Sequence, residues 1–117
     1  MAKVGFIGAG NMGTAMMQGM LQSGEVKASD MMVSDRLVEM LEDRKAKYGV
    51  QITANNCDVA KFAEVLILAV KPQFYETVID EIKDAVREDA IVVSLAAGKT
   101  IDWICEQFEK RVKLIRT

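Results

Sequence analysis

The chain has 117 residues, of which 50% are apolar, and a formal net charge of −2. This length predicts a single domain, which is small for a complete cofactor-dependent enzyme, and the low net charge argues against nucleic acids or membrane surfaces as partners. There is no histidine, and Cys57 and Cys105 do not form a metal-type spacing. We therefore expect no metal site, no Ser-His or Cys-His nucleophile, and two reduced thiols in a cytoplasmic protein.

A glycine motif follows the first apolar run of the chain. Val4 to Ile7 leads into Gly8-x-Gly10-x-x-Gly13, after which the residues take up a helical period. A strand, a tight glycine turn and a helix N-terminus in this order begin a dinucleotide-binding βαβ unit. Gly8 permits the turn, Gly10 gives a pyrophosphate access to the backbone, and Gly13 lets the helix pack close to the strand. The alternative is a glycine-rich turn that only joins a strand to a helix.

Strands and helices then alternate along the chain. The apolar runs predict strands over residues 4–7, 28–33, 50–52, 65–70, 90–95 and 111–115. Helical periods predict helices from 13 to a stop at 24, from 37 to a stop at 49, from a cap at 55–58 to 62, from about 74 to 86, and from a cap at 100 onward. This alternation predicts an α/β fold: a doubly wound, mostly parallel sheet of the Rossmann type in the order 3-2-1-4-5-6.

Two helices carry apolar stripes that we assign to the core. In the first predicted helix the stripe consists of Met12, Ala15, Met16, Gly19 and Met20. In the fourth predicted helix it consists of Val78, Ile79, Ile82 and Val86.

The carboxyl ends of the predicted strands carry small, polar or turn-forming residues. They lie at 8–13, 34–36, 53–56, 70–72 and 95–98. Ligands of doubly wound sheets bind over these ends, so the agreement of several tips strengthens the prediction of a cofactor site.

The tip of the second strand, Ser34-Asp35-Arg36, bears on the choice of cofactor. Asp35 could accept hydrogen bonds from a ribose, which favours NAD, but it would repel a 2′-phosphate if its carboxylate pointed inward. Ser34 and Arg36 offer a hydroxyl and a guanidinium to a phosphate, and the guanidinium could also stack on adenine. Capping of the second helix by Ser34 or Asp35 is the alternative, but it leaves Arg36 unexplained. We expect NADP, as NADPH, with NAD also usable.

Three motifs along the chain point to one enzyme family. They are Gly5-Phe6-Ile7-Gly8-Ala9-Gly10-Asn11-Met12-Gly13, Ala69-Val70-Lys71-Pro72-Gln73, and Val92-Val93-Ser94-Leu95-Ala96-Ala97-Gly98 followed by Thr100-Ile101. In this order and spacing the chain resembles the pyrroline-5-carboxylate reductases, which make proline. Many reductases share the first motif, whereas the other two are more specific, and the resemblance covers the whole chain.

The resemblance implies a set of cofactor-binding residues. They are Ile7, Gly8, Ala9, Gly10, Asn11, Met12 and Gly13 around the pyrophosphate, Ser34, Arg36 and Asn56 at the 2′-phosphate, and Ala69, Val70, Lys71, Pro72, Leu95, Ala96, Ala97 and Gly98 along the nicotinamide half. For Asn56 the alternative is an N-cap of a helix that begins at Cys57, and for Lys71 it is a solvated lysine. No residue is assigned as catalytic, because none in the sequence resembles a proton donor of a finished active site.

The resemblance also implies the reaction and the extent of the protein. It implies NAD(P)H-dependent reduction of 1-pyrroline-5-carboxylate to L-proline; a related imine or β-hydroxyacid reductase, or a non-catalytic nucleotide-sensing module, are the alternatives. In the family, a helical C-terminal domain follows and supplies the dimer contacts and most of the substrate pocket. We therefore expect residues 1–117 to be the NAD(P)-binding domain of a longer homo-oligomeric enzyme, truncated before that domain, and alone to bind cofactor weakly and turn over slowly or not at all.

Overall fold

The computed structural model describes residues 3–24, 26–94 and 113–116, and it confirms the predicted sheet. The strands are β1 (Val4–Ile7), β2 (Met31–Ser34), β3 (Gln51–Thr53), β4 (Val65–Leu68), β5 (Ile91–Ser94) and β6 (Lys113–Arg116). All neighbouring pairs are parallel, and the order is β3-β2-β1-β4-β5-β6. Parallel pairing throughout brings the carboxyl ends of all these strands to one edge of the sheet.

Helices connect the strands as predicted, although the fourth helix ends at Ile82, before the predicted end at 86, and two predicted elements are shortened at their starts. They are α1 (Asn11–Ser23), α2 (Val38–Tyr48), α3 (Asn56–Phe62) and α4 (Tyr75–Ile82). Residues Ala28–Asp30 and Pro72–Phe74 form short 3₁₀ helices, which replace the predicted starts of β2 and α4. Gly24 and Gly49 end α1 and α2 in the left-handed conformation, with φ of 76° and 74°. The predicted helix from Thr100 lies outside the described residues.

The core consists of two apolar layers, one on each face of the sheet. Alternate β1 residues face opposite layers: Val4 and Phe6 belong to the layer that contains Met17 of α1 and Leu41 of α2. Ile7 belongs to the other layer, with α3 and α4. None of the helices that the structure describes is long and apolar enough to span a bilayer.

One of the two predicted helix faces is confirmed in full, and the other only in part: Met16 and Met20 pack against the core layer that contains Met17. The four α4-side residues Val78, Ile79, Ile82 and Val86 are all buried. In α1, however, the fully buried side chain is Met17, whereas Ala15 and Gly19 are exposed. Met16 and Met20 are half-buried, and the side chain of Met12 lies outside the described part.

The face of α1 is set by a contact at its first turn. A Cβ atom placed on Gly13 would lie 2.8 Å from the Cβ of Ala69. Gly13 therefore sits directly on the segment that follows β4, and Met17, one turn later on the same face, enters the core. This contact rotates the buried stripe by about one residue from the predicted one.

Candidate cofactor-binding site

The glycine turn after β1 is held tightly against the neighbouring strands. Gly8 has a φ of 106°, its N–H donates to the carbonyl of Ser34 at 2.8 Å, and a Cβ there would lie 2.9 Å from the backbone carbonyl of Ala69. The Ala69 N–H in turn donates to the carbonyl of Ile7 at 2.9 Å. Positive φ and close backbone approach both require glycine at position 8, which confirms the predicted tight turn.

The two later glycines of the motif differ from each other. Gly13 permits the close contact of α1 with Ala69, as the motif predicted. Gly10 has an extended backbone, with φ of −71° and ψ of 179°, and a Cβ there would meet no described atom within 4 Å. Packing against the described residues therefore does not require glycine at position 10.

The N-terminus of α1 is electrostatically distinct from those of the other helices. Among the described side chains, none forms a capping hydrogen bond there, and the first turn of α1 has no acidic residue. The other described α-helices each carry one in the first turn: Glu39 in α2, Asp58 in α3 and Glu76 in α4. The helix dipole and the first-turn N–H groups of α1 favour an anion at this end of the helix. A carboxylate from outside the helix, that of Asp35, also lies at the loop, where it is bonded to the Ala9 N–H.

Asp35 binds the glycine loop, a contact that the sequence analysis missed. One carboxylate oxygen accepts a hydrogen bond from the Ala9 N–H at 2.7 Å, and the other accepts from the Leu37 N–H at 2.9 Å. Leu37 is the N-cap residue of α2, and no described side chain caps that helix. Neither Ser34 nor Asp35 is therefore the N-cap residue of α2, but the Asp35 carboxylate joins the N–H of that N-cap residue to the glycine loop.

Arg44 of α2 also binds the glycine loop and was likewise missed. Its Nη2 donates to the Ala9 carbonyl at 3.0 Å, and its Nε donates to the hydroxyl of Thr14 at 2.9 Å. Its Nη1 pairs with Asp43, and its side chain is only 13% exposed. The sequence alone does not predict this contact, because one basic residue in a charged helix looks like any other. The contact depends on how α2 packs beside α1.

Ser34 and Asn56 are brought together at the tips of β2 and β3. The Ser34 hydroxyl donates to the side-chain oxygen of Asn56 at 2.7 Å, and Ser34 has no exposed surface. Asn56 is half-buried, and its amide donates to Glu81 at 3.4 Å. The N-cap of α3 is Asn55, which accepts from the Cys57 N–H at 2.9 Å. The capping alternative for Asn56 is therefore wrong, and Ser34 supports Asn56 instead of presenting its own hydroxyl at the surface.

Arg36 lies at the surface next to Phe74. Its guanidinium carbon is 5.5 Å from the centre of the Phe74 ring, and both side chains are exposed. The pair links the tip of β2 to the 3₁₀ turn after β4. The Arg36 guanidinium is thus placed at the edge of the sheet where a ligand would bind.

The remaining predicted residues separate into framework, surface and undescribed positions. Ile7, Gly8 and Ala9 are buried, so they shape the loop from below. Ala69 and Val70 are half-buried and Lys71 is exposed. The side chains of Asn11, Met12 and Pro72, and all of residues Leu95, Ala96, Ala97 and Gly98, lie outside the described part of the chain.

A buried hydrogen bond joins the carboxyl ends of β4 and β5. The Tyr75 hydroxyl donates to the Leu68 carbonyl at 2.9 Å and lies 3.0 Å from the hydroxyl of Ser94. Tyr75 and Ser94 are both fully buried. Within the described ranges, no group of three His, Cys, Asp or Glu side chains could hold a metal ion.

Known proteins similar to this chain carry reductase names. The chain is 40% identical to the pyrroline-5-carboxylate reductase of Methanosarcina acetivorans, over 97% of this chain and 42% of that protein. The solved structure of a pyrroline-5-carboxylate reductase from Coxiella burnetii is 34% identical, with a TM-score of 0.93 over 98% of this chain and 43% of that one. The Plasmodium falciparum pyrroline carboxylate reductase with NADP bound is 22% identical, with a TM-score of 0.84 over 98% of this chain and 41% of that one, and shows the same fold.

The extent of these matches defines what they establish. The chain spans 42% of the length of the Methanosarcina relative. A family profile, described as NADP oxidoreductase coenzyme F420-dependent, matches residues 3–98. Because that match covers most of the chain, the protein belongs to this family of NADP oxidoreductases.

Proposed function

We propose that this chain is the NADP-binding domain, residues 1–117, of a pyrroline-5-carboxylate reductase. The observation that carries the proposal is the glycine loop, in which Gly10 has no described neighbour within 4 Å of a Cβ position and precedes a helix with no acidic residue in its first turn. The names of the relatives with 34–40% identity support the choice of reaction. The reaction is the reduction of 1-pyrroline-5-carboxylate to L-proline.

Residues at different strand tips bind different parts of the cofactor. The N–H groups of the loop from Gly10 onward bind the pyrophosphate. Asn56, supported by Ser34, and the exposed Arg36 bind the 2′-phosphate of NADP. The Asp35 carboxylate is held by two backbone N–H donors, of Ala9 and Leu37, which fix it against the glycine loop and partly offset its charge.

The residues along the nicotinamide half of the site position the nicotinamide ring. When bound, NADPH supplies the hydride for the C=N carbon of the substrate. Ala69, Val70, Lys71 and Pro72, together with residues 95–98, orient the ring and exclude water from it. We assign no catalytic residue in this chain.

The proposal also includes the cellular location and the oligomeric state of the enzyme. We place it in the cytoplasm, where Cys57, a free thiol in the structure, stays reduced. By its resemblance to the reductases we also propose a homo-oligomer, joined through the helical domain of the family.

A calorimetric titration with NADPH and NADH tests the cofactor assignment. We expect Arg36→Ala to weaken NADPH about tenfold and NADH little, because only NADPH has the 2′-phosphate. The matched control is Arg87→Ala, since Arg87 is also exposed but lies before β5, away from the strand tips. Equal effects of Arg36→Ala on both cofactors would refute the assignment.

The reaction itself is tested with the native protein. We expect NADPH oxidation that depends on 1-pyrroline-5-carboxylate and yields L-proline in equal amount. Oxidation that proceeds with a β-keto or semialdehyde acid but not with the pyrroline would assign the protein to another reductase.

A further inference from the structure

Both peptide groups of Ala9 are held by side chains from the β2–α2 segment. The Ala9 N–H donates to Asp35 at 2.7 Å. The Ala9 carbonyl accepts from Arg44 Nη2 at 3.0 Å and from the Thr14 hydroxyl at 3.1 Å. Asp35, directly after β2, and Arg44 of α2 thus both hold the glycine loop at Ala9.

The Arg44 side chain is committed to this contact. It is 13% exposed, and its donors are directed to Ala9, Thr14 and Asp43. A guanidinium that is largely removed from water needs fixed acceptors, and two of these three acceptors belong to the loop or the first turn of α1. The contact with Ala9 joins residues 35 positions apart, so it ties α2 to the loop.

The carbonyl of Ala9 and the N–H of Gly10 belong to the same planar peptide. No peptide bond in the described residues is cis, and in a trans peptide the C=O and N–H point in opposite directions. Arg44 holds the Ala9 carbonyl directly and also holds the Thr14 hydroxyl that donates to it, and it therefore aims the Gly10 N–H away from α2. None of the described residues packs against the Gly10 side of this peptide, whereas Gly8 and Gly13 are in close contact with Ala69.

We propose that Arg44 is a positioning residue that sets the direction of the Gly10 N–H and thereby the affinity of the loop for a pyrophosphate. This inference rests on the proposed dinucleotide-binding function. It assigns Arg44 a different task from that of Arg36 and Asn56, which recognise the 2′-phosphate. The two tasks predict different patterns of ligand affinity.

The variant Arg44→Met, titrated by calorimetry with four ligands, separates these patterns. We expect affinity for NADPH, NADH and ADP-ribose to fall by a common factor of about ten, since all three carry the pyrophosphate, while adenosine 2′-monophosphate binds as in wild type. Arg44→Lys should restore part of the loss, because lysine supplies the charge but not the two-point contact. The matched control is Lys45→Met on the exposed side of α2, which should change none of these affinities.

Other outcomes of the titration contradict the inference. Unchanged dinucleotide affinity in Arg44→Met would overturn it. An equal loss for adenosine 2′-monophosphate would also overturn it, because it would indicate a general weakening of the fold. A change in the ratio of NADPH to NADH affinity would mean that Arg44 recognises the 2′-phosphate instead of positioning the loop.

An amide NMR measurement on the ligand-free chain tests the positioning step independently of binding. In Arg44→Met we expect a shifted Gly10 N–H signal and faster hydrogen exchange at Ala9, with the Gly24 amide at the other end of α1 unchanged. Unaltered Gly10 and Ala9 signals would overturn the inference. If wild type binds no dinucleotide, the proposed function fails, while these signals still decide whether Arg44 orients the peptide.

Discussion

The three glycines of the loop differ in backbone conformation and in what surrounds them. Gly8 is required by its φ of 106° and by the backbone of Ala69, and Gly13 by the side chain of Ala69. Gly10 has an ordinary backbone conformation, and a Cβ there would meet none of the described atoms within 4 Å. Position 10 is therefore the one where a substitution separates binding from stability.

Gly13→Ala should mainly lower the stability of the fold, whereas Gly10→Ala should mainly lower the affinity for NADPH. Gly13→Ala should lower the free energy of unfolding by about 1–2 kcal/mol, because its Cβ would lie 2.8 Å from the Cβ of Ala69. Gly10→Ala should leave it within about 0.5 kcal/mol, since a φ of −71° suits alanine. It should nevertheless weaken NADPH at least about tenfold, because the methyl group occupies the space proposed for the pyrophosphate.

Urea denaturation and calorimetric titration of the two variants measure these quantities. Wild-type NADPH affinity in Gly10→Ala would place the pyrophosphate somewhere other than over this residue. Unchanged stability in Gly13→Ala would show that α1 can shift away from Ala69 at no cost.

At the scale of elements, α3 packs very closely on β1. A Cβ on Gly5 would lie 2.5 Å from Cγ1 of Val59 in α3 and 2.8 Å from the Cβ of Ala63, the C-cap residue of that helix. Because these contacts are internal to a close-packed core, the helix must move to accept any side chain at position 5. The glycine is thus a packing requirement of the fold and has no part in the proposed site.

Gly5→Ala should therefore lower the free energy of unfolding by about 2–3 kcal/mol. Gly19→Ala is the matched control: Gly19 is exposed in α1 and a Cβ there meets nothing within 4 Å, so alanine should raise stability by about 0.5–1 kcal/mol. Chemical denaturation of both variants provides the comparison. Equal stabilities would show that α3 is not held against β1 as described.

Tyr75 joins two elements beneath the strand tips. Tyr75→Phe removes the hydroxyl that donates to the Leu68 carbonyl and contacts Ser94, all in buried surroundings. We expect a loss of about 1–2 kcal/mol in the free energy of unfolding. Tyr48→Phe, at a half-buried tyrosine at the end of α2, should change it by about 0.5 kcal/mol or less. Equal losses in the two variants would count against a specific role for the Tyr75 hydroxyl.

At the scale of the whole molecule, local patterns were sufficient to predict the sheet. Apolar runs separated by helical periods specify a parallel order, since right-handed crossovers leave few alternatives. The core face of α1 was not predictable in the same way, because it depends on contact between Gly13 and Ala69, which come from different βα units. The hydrophobic periodicity of a single helix gives no information about such a contact.

In the candidate site, too, local motifs were predictable and contacts between distant residues were not. The glycine motif and the tips of β2 and β3 were predicted because they carry distinctive residues at fixed spacings. The bonds of Asp35 and Arg44 to Ala9 were not predicted, since they join residues 26 and 35 positions apart through the packing of α2. The burial of Ser34 behind Asn56 also depends on the register of neighbouring strands.

The central claim is that this loop holds the pyrophosphate of NADP, and a crystal structure of the chain with NADP bound tests it most directly. The account predicts a pyrophosphate oxygen about 2.7–3.2 Å from the Gly10 nitrogen and the 2′-phosphate beside Asn56 and Arg36. A pyrophosphate bound away from the N-terminus of α1, or a 2′-phosphate remote from these two side chains, would contradict it.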